Sequence, residues 1–217
     1  MFRKLGFMGN TQVKKVFVLN INNYMPELCA ITMPTINRYA EKIGVKLEIV
    51  SDRKYPEWPV TYEKMQLYDL AKELEWAILI DADTVILKDM PDVTNISNNI
   101  IGIHMAYDSD KILPSNYDFI QDRRNVGVAT NFMVVPHACH EIWTPSDEGV
   151  ENVLRRLRCH GTQPHIIDEY CISTNLARYK YDFIGITQYC GDKFVHLDAH
   201  TNDLANIIKS AEALVNV

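Results

Sequence analysis

The chain has 217 residues, a net charge of -6 and an apolar fraction of 47%. That is enough for one domain with a sizeable core, and the balance is that of an ordinary globular protein. Its acidity excludes long-range attraction to nucleic acid or to an anionic membrane surface, so any bound phosphate must be held locally, by a metal, a lysine or backbone N–H groups.

Val16 to Asn20 reads as a short buried strand. Pro26 opens a helix that runs to about Lys42 and stops at Gly44, with proline and glycine at the ends where each is favoured. Val45 to Val50 is the next strand, and Thr61 can cap a second helix over Tyr62 to about Leu74. Trp76 to Ile80 is a third strand with no polar interruption. Short apolar runs separated by helices imply a parallel sheet covered on both faces, so the first part of the chain reads as βαβαβ.

The second half is less regular. Ile100 to Met105 is an expected strand, and Tyr107 to Arg124, polar and aromatic without a period, is an expected loop or lid. Val126 to Val135 reads as one strand with a turn at Pro136. Val150 to Arg158 and Asp168 to Arg178 are expected helices, Tyr181 to Ile186 and Phe194 to His196 strands, and Asn202 to Val215 a last helix. No linker divides the chain, which implies a single domain.

Cysteine usage and the ends bear on location. Cys29, Cys139, Cys159, Cys171 and Cys190 are odd in number and form no Cys-x-x-Cys pair, which argues against a disulfide framework and for a reducing compartment. The start lacks the apolar run of a signal peptide, and no window approaches the roughly 20 apolar residues of a membrane span. The expectation is a cytoplasmic protein with no nucleic-acid partner and no membrane insertion.

The strongest local signal is Trp76-Ala-Ile-Leu-Ile-Asp81-Ala-Asp83-Thr-Val-Ile-Leu87. A buried strand emerges directly into two carboxylates, at the strand end where open α/β sheets bind ligands. Residues i and i+2 of an extended chain point to the same side, so Asp81 and Asp83 face one crevice. Two adjacent carboxylates repel unless a proton or cation lies between them, and a hard divalent ion with oxygen ligands suits the pair. Three readings compete: solvated acids at a strand end; an aspartate-nucleophile phosphatase of the haloacid dehalogenase type, with Asp81 as nucleophile; and the metal site of a nucleotide-sugar transferase. Position speaks against the phosphatase, whose motif closes the first strand of its domain, whereas here a βαβα unit precedes it.

The block from Thr61 and Lys64 through Asp81-Ala82-Asp83 to Pro91-Asp92 resembles the glycogenin-like branch of family 8 glycosyltransferases. In these a lysine-bearing helix precedes the buried strand and its Asp-x-Asp, and a short apolar stretch with an acidic turn follows. Further segments fall in the family's order. Asn20-Ile-Asn22-Asn23-Tyr24 is similar to the loop that holds the nucleoside. Ala129-Thr130-Asn131 with Phe132 to Pro136 sits where the family has Asn-Ser-Gly and an apolar strand. Ile167-Asp168-Glu169 is similar to a Gly-Asp-Gln segment near the sugar, and Val195-His196-Leu197-Asp198 to the late histidine strand. The family's Gly-x-x-Lys-Pro-Trp after the histidine has no counterpart, Glu169 stands where the family has glutamine, and Thr130 and Asn131 stand for its Ser-Gly pair.

The resemblance implies a GT-A-type, Rossmann-like, mostly parallel sheet flanked by helices. Residues 16–105 would form the nucleotide-binding half and 106–217 the sugar and acceptor half. It implies transfer of a hexose from a nucleoside-diphosphate sugar, UDP-sugar foremost, to an unknown acceptor with retention, using Mn2+ or Mg2+. The metal ligands would be Asp81, Asp83 and His196, with His200 as an alternative to the histidine. Asn20, Asn22, Tyr24, Lys64, Ala82 and Asn131 would join Asp81 and Asp83 at the nucleotide-sugar, Tyr24 either stacking on the base or stapling the first helix. Lys64 would reach a phosphate or sugar, unless it is a solvated surface lysine. Asp168 would be orienting or nucleophilic beside the reacting sugar, with Glu169 next to it. His137-Ala-Cys139-His140 has metal-like letters but no partner cluster, and reads as the surface of a short helix; Arg155, Arg156 and Arg158 read as helix-end cations. A remaining alternative is a chain that binds nucleotide-sugar without turning it over.

Overall fold

The computed structural model describes residues 14–97, 99–104, 106–108, 126–159, 164–197 and 203–215. Its centre is a six-stranded sheet. Strand β1 (Lys14–Leu19) lies between β2 (Lys46–Val50) and β3 (Trp76–Ile80) and is parallel to both. Beyond β3 the sheet continues through β8 (Phe132–Pro136), antiparallel to it, then β5 (Ile101–Ile103) and β9 (Phe183–Gly185), the last two parallel to each other. The mostly parallel, helix-flanked sheet agrees with the expectation from sequence, and β8 is its one reversed strand.

The sheet carries core on both faces because β3 is apolar and buried at every position. Its residues alternate faces as extended chain must. Ile78 and Ile80 pack with Val16, Val18, Ile36 and Tyr39, while Ala77 and Leu79 pack with Met133, Trp143, Ile172 and Leu176 on the other side. Helix α1 (Pro26–Lys42) covers the first face, and α5 (Ile167–Tyr179) contributes to the second. Burial of each such side chain contributes about 1.5–3 kcal/mol. α1 starts at Pro26 and its C-terminus unwinds through Gly44, whose φ of 71° is open to glycine without strain. No helix among the described residues is long and apolar enough to cross a membrane. Cys29, Cys139, Cys171 and Cys190 are buried free thiols.

Two expected elements are different. The helix over Tyr62 to Leu74 is instead a 3-10 segment, Val60–Gln66, followed by a single turn, α2 (Leu67–Leu70). An amphipathic helix would bury one face, but here Tyr62, Glu63, Lys64, Met65 and Gln66 are all buried. Tertiary partners claim consecutive side chains, and the tighter turn serves them. Thr61 does not cap it; its hydroxyl donates to the His165 carbonyl at 2.7 Å. The expected single strand Val126 to Val135 is two, β7 (Val126–Val128) and β8, broken at residues 129–131. β7 pairs with β6 (Ala106–Asp108), which takes Tyr107 and Asp108 out of the expected lid; the rest of that segment lies outside the described residues.

Of the remaining elements, α3 (Thr94–Ser97), α4 (Val150–Cys159) and α6 (Thr187–Cys190) are peripheral to the site. A small sheet matters more: β4 (Thr84–Ile86) pairs antiparallel with β10 (Phe194–His196), His196 opposite Thr84. The last helix, α7 (Leu204–Val215), seals it by packing Ile207 and Ala211 against Leu28 and Val85.

Candidate active site

The C-terminal end of β3, the break before β8 and the start of α5 meet at a cleft of about 960 Å³, lined among others by Tyr24, Lys64, Asp81, Asp83, Asp168 and His196. The backbone explains why. The Asp81 N–H donates to the Asn131 carbonyl at 2.8 Å, and the Thr84 N–H to the Asp81 carbonyl at 3.1 Å. Asp81-Ala82-Asp83 is therefore a turn, not the extended chain that alternation assumes, and the turn aims both carboxylates at the cleft. From α1, the Thr32 hydroxyl donates to the Ala82 carbonyl at 2.6 Å and fixes the turn from behind.

The β4–β10 pairing brings a third group to the pair. His196 Nε2 lies 3.2 Å from Asp83 Oδ1 and 4.0 Å from Asp81 Oδ2. Ligand atoms of the three residues all lie within 4.8 Å of one another. Two carboxylate oxygens and an imidazole nitrogen form a donor set that could hold a divalent cation. The electrostatics agree with a site built for a cation. Burial pushes the Asp81 carboxyl above the ordinary carboxylate range, and Asp83 adds to the rise against the pull of Lys64. His196 is raised as well: burial opposes its charge, but the hydrogen bond and charge of Asp83 outweigh it.

Lys64 is not a solvated lysine; it is 5% exposed. Its Nζ stands 2.9 Å from Asp81 Oδ1, 2.9 Å from Asp168 Oδ2 and 3.2 Å from Thr130 Oγ1. Burial lowers an ammonium's pKa, but Asp168 and Asp81 overcome that and hold it above the ordinary value. Next to it, Glu63 is fully buried and takes hydrogen bonds from Arg53 Nε, the Lys54 and Tyr55 N–H groups and Gln66 Nε2. That knot fixes the 3-10 segment which presents Lys64.

Asp168, in the first turn of α5, accepts the Thr130 hydroxyl at 2.6 Å on the same Oδ2 that faces Lys64. Glu169 lines the cleft beside it; burial, then the charge of Asp168, pushes its carboxyl up to about 8. Tyr24 sits at the other side of the carboxylate pair. Its ring packs on the apolar residues over α1, and burial with the charges of Asp83 and Asp81 holds the phenol well above its usual value. Asn22 lines the cleft in a left-handed conformation, φ 57°, a region asparagine tolerates. Asn20 differs from the rest: it does not line the cleft, its N–H donates to the Val50 carbonyl at 2.9 Å, and its Oδ1 is buried without a partner among the described residues. Asn131 lines the cleft, but its amide meets His104 Nδ1 at 2.9 Å.

Thr130 and His104 carry more of this site than sequence reasoning assigned them. Burial, with His196 nearby, lowers the His104 pKa. Nothing in the sequence marks His104 beyond its place after β5; Thr130 is signalled only by lying between two strand-like runs. His200 and Asp198 lie outside the described residues. His137 and His140 are on the surface of a 3-10 turn, as expected, while Cys139 between them is buried.

No family model matches the sequence, and no curated protein matches it. Among solved structures, the chain is similar to a glycosyltransferase involved in the glycosylation of the major capsid of PBCV-1, at 12% identity over 92% of this chain and 98% of that one, with a TM-score of 0.57. The fold is thus that of a GT-A glycosyltransferase. Looser likenesses, which add nothing to that assignment, are to the galactosyltransferase LgtC (9% identity, 75% and 70% covered, TM-score 0.47) and to mouse xyloside xylosyltransferase 1 (8%, 88% and 100%, TM-score 0.48).

Proposed function

We propose that this chain is a metal-dependent glycosyltransferase that takes a hexose from a nucleoside-diphosphate sugar, UDP-sugar foremost, and passes it with retention to an acceptor. The observation that carries the reading is the cluster of Asp81, Asp83 and His196, with ligand atoms within 4.8 Å of one another on the rim of one large cleft. At about 960 Å³ the cleft is at the upper end of ligand pockets, about 300–1,000 Å³, and has room for a donor and an acceptor group together.

Asp81, Asp83 and His196 would hold the divalent ion, which when bound supplies Lewis-acid neutralisation of the charge on a departing diphosphate. The chain's own residues do the rest. The Asp81–Asp83 turn is rigid, so its carboxylates need no reorganisation. Lys64 adds a fixed positive charge behind Asp81, part of a preorganised field that favours a developing anion. Asp168 and Glu169 face the reacting sugar, Glu169 as a neutral acid. Asn22 and Tyr24 take the nucleoside side of the cleft. The region 16–105 then serves the nucleotide and 106–217 the sugar and acceptor.

The test is calorimetric titration with UDP and a panel of UDP-sugars, in manganese and in chelator, followed by a hydrolysis assay on the same panel. Binding should tighten strongly with manganese, and at least one UDP-sugar should be hydrolysed. Equal affinity in both conditions would remove the metal site; tight binding with no turnover would leave a nucleotide-sugar-binding protein.

A further inference from the structure

Lys64 has three N–H donors and no acceptor. Asp81, Asp168 and the Thr130 hydroxyl surround its Nζ at 2.9, 2.9 and 3.2 Å, with the Thr130 carbonyl at 3.3 Å sharing the third hydrogen, so all three hydrogens have partners within the protein. The hydroxyl of Thr130 has a single hydrogen. It cannot give it to an ammonium, so it accepts from Lys64 and donates to Asp168 Oδ2 at 2.6 Å. Thr130 is 1% exposed, so no solvent competes for this bond. Both strong bonds to Asp168 fall on Oδ2, and Oδ1 has no hydrogen-bond partner among the described residues, in a side chain that lines the cleft. The rotation of the Asp168 carboxylate is thereby fixed by two donors on one oxygen.

The same short segment also fixes the other side of the site. The residue after Thr130 accepts the Asp81 N–H through its carbonyl. The break between β7 and β8 is therefore a brace: its backbone holds the metal-ligand turn, and its one hydroxyl holds the carboxylate of α5. A continuous strand would leave Thr130 no freedom to turn toward Asp168.

We propose that Thr130 is a positioning residue that orients Asp168 toward the sugar of the donor, an inference that rests on the glycosyltransferase reading above. It acts through Asp168, whose Oδ2 its hydroxyl holds. Its loss therefore changes recognition of the sugar and leaves recognition of the nucleoside diphosphate alone. Valine keeps the branched shape and removes the hydroxyl; serine keeps the hydroxyl and removes the methyl.

The experiment measures, in manganese, the affinities of UDP and of the tightest-binding member of a panel of UDP-sugars, and takes their ratio as the increment due to the sugar. Thr130→Val should lower that increment by about 10-fold, the loss typical of a supporting hydrogen bond, with UDP affinity within about 2-fold of the wild type. Thr130→Ser should restore most of it. The preserved UDP affinity shows that the valine variant is folded. A Thr130→Val increment equal to the wild type, a Thr130→Ser variant as impaired as Thr130→Val, a loss of UDP affinity in parallel, or a wild type with no sugar increment would each overturn the inference. Failure of the wild type to bind UDP in a manganese-dependent way is a separate result and overturns the reading of the site itself.

Discussion

Lys64 Nζ stands 2.9 Å from Asp81 Oδ1 and 2.9 Å from Asp168 Oδ2, so one buried cation ties the end of β3 to the start of α5. Removing it strands two carboxylates in a confined space. Lys64→Met should cost about 3–5 kcal/mol, as for other broken buried pairs. Urea unfolding monitored by tryptophan fluorescence measures this. Manganese should recover part of the loss, because a cation near Asp81 again offsets its charge. An unchanged midpoint would mean the ammonium contributes nothing net.

The ligand set predicts a pH dependence. Asp81 and His196 are both raised above their ordinary values in the ion-free protein. A metal takes the deprotonated forms, so protons compete with it, and affinity falls as pH drops through those raised values. Manganese-dependent UDP binding should be weaker at about pH 5.5 than at about pH 7.5, with proton release visible as a dependence of the apparent enthalpy on the buffer. His196→Ala should weaken binding about 10-fold and lessen that dependence.

Glu169 stands where the resembling family has glutamine, and its carboxyl is pushed up to about 8. At neutral pH it is a neutral hydrogen-bond donor, as a glutamine amide is. Because the folded-state value is raised, its contribution is fully present below the ordinary carboxyl range and is lost as pH climbs through about 8. The melting temperature of the wild type should therefore fall over that window relative to Glu169→Gln, whose side chain does not titrate. Parallel melting curves across pH would show that Glu169 is already ionised.

Gly102 is a packing requirement. A Cβ there would lie 2.8 Å from Ile186 Cγ2 and 3.3 Å from Val134 Cβ. Gly102→Ala should destabilise by about 1–3 kcal/mol, the range for overpacking, with manganese-dependent UDP affinity retained in the folded fraction. Thermal melting with and without UDP and manganese distinguishes the two effects.

What the sequence made legible follows from how local each determinant is. The β3 run and Asp81-Ala82-Asp83 could be read directly, because five apolar residues followed by two acids carry their own pattern. His196 could be placed because Phe194-Val195 reads as a strand. The 3-10 form of residues 60–66 could not, since it depends on Glu63 meeting Arg53 and Lys64 meeting Asp168, 104 residues onward by position in the chain. The break at Thr130 was hidden for the same reason: alanine, threonine and asparagine between two strand-like runs do not announce a partner such as Asp168. The resemblance pointed to Tyr24, Asn22 and Asn20 alike; the first two line the cleft and Asn20 does not.

The polar side chains of α1 hold the segment after β3 through its backbone. Thr32 donates to the Ala82 carbonyl, Thr35 accepts the Ile86 N–H, Arg38 donates to the Ile86 carbonyl, and Lys42 donates to the carbonyls of Lys88 and Met90. A peptide group is the same whatever residue carries it. In a saturation-mutagenesis map, exposed positions such as Lys88 should therefore accept nearly any residue, while the positions that secure them light up about fifty residues earlier, on α1. A reader of such a map would meet a polar stripe of intolerance on a helix that does not line the cleft, and its cause would be the path of a chain that the stripe itself never shows.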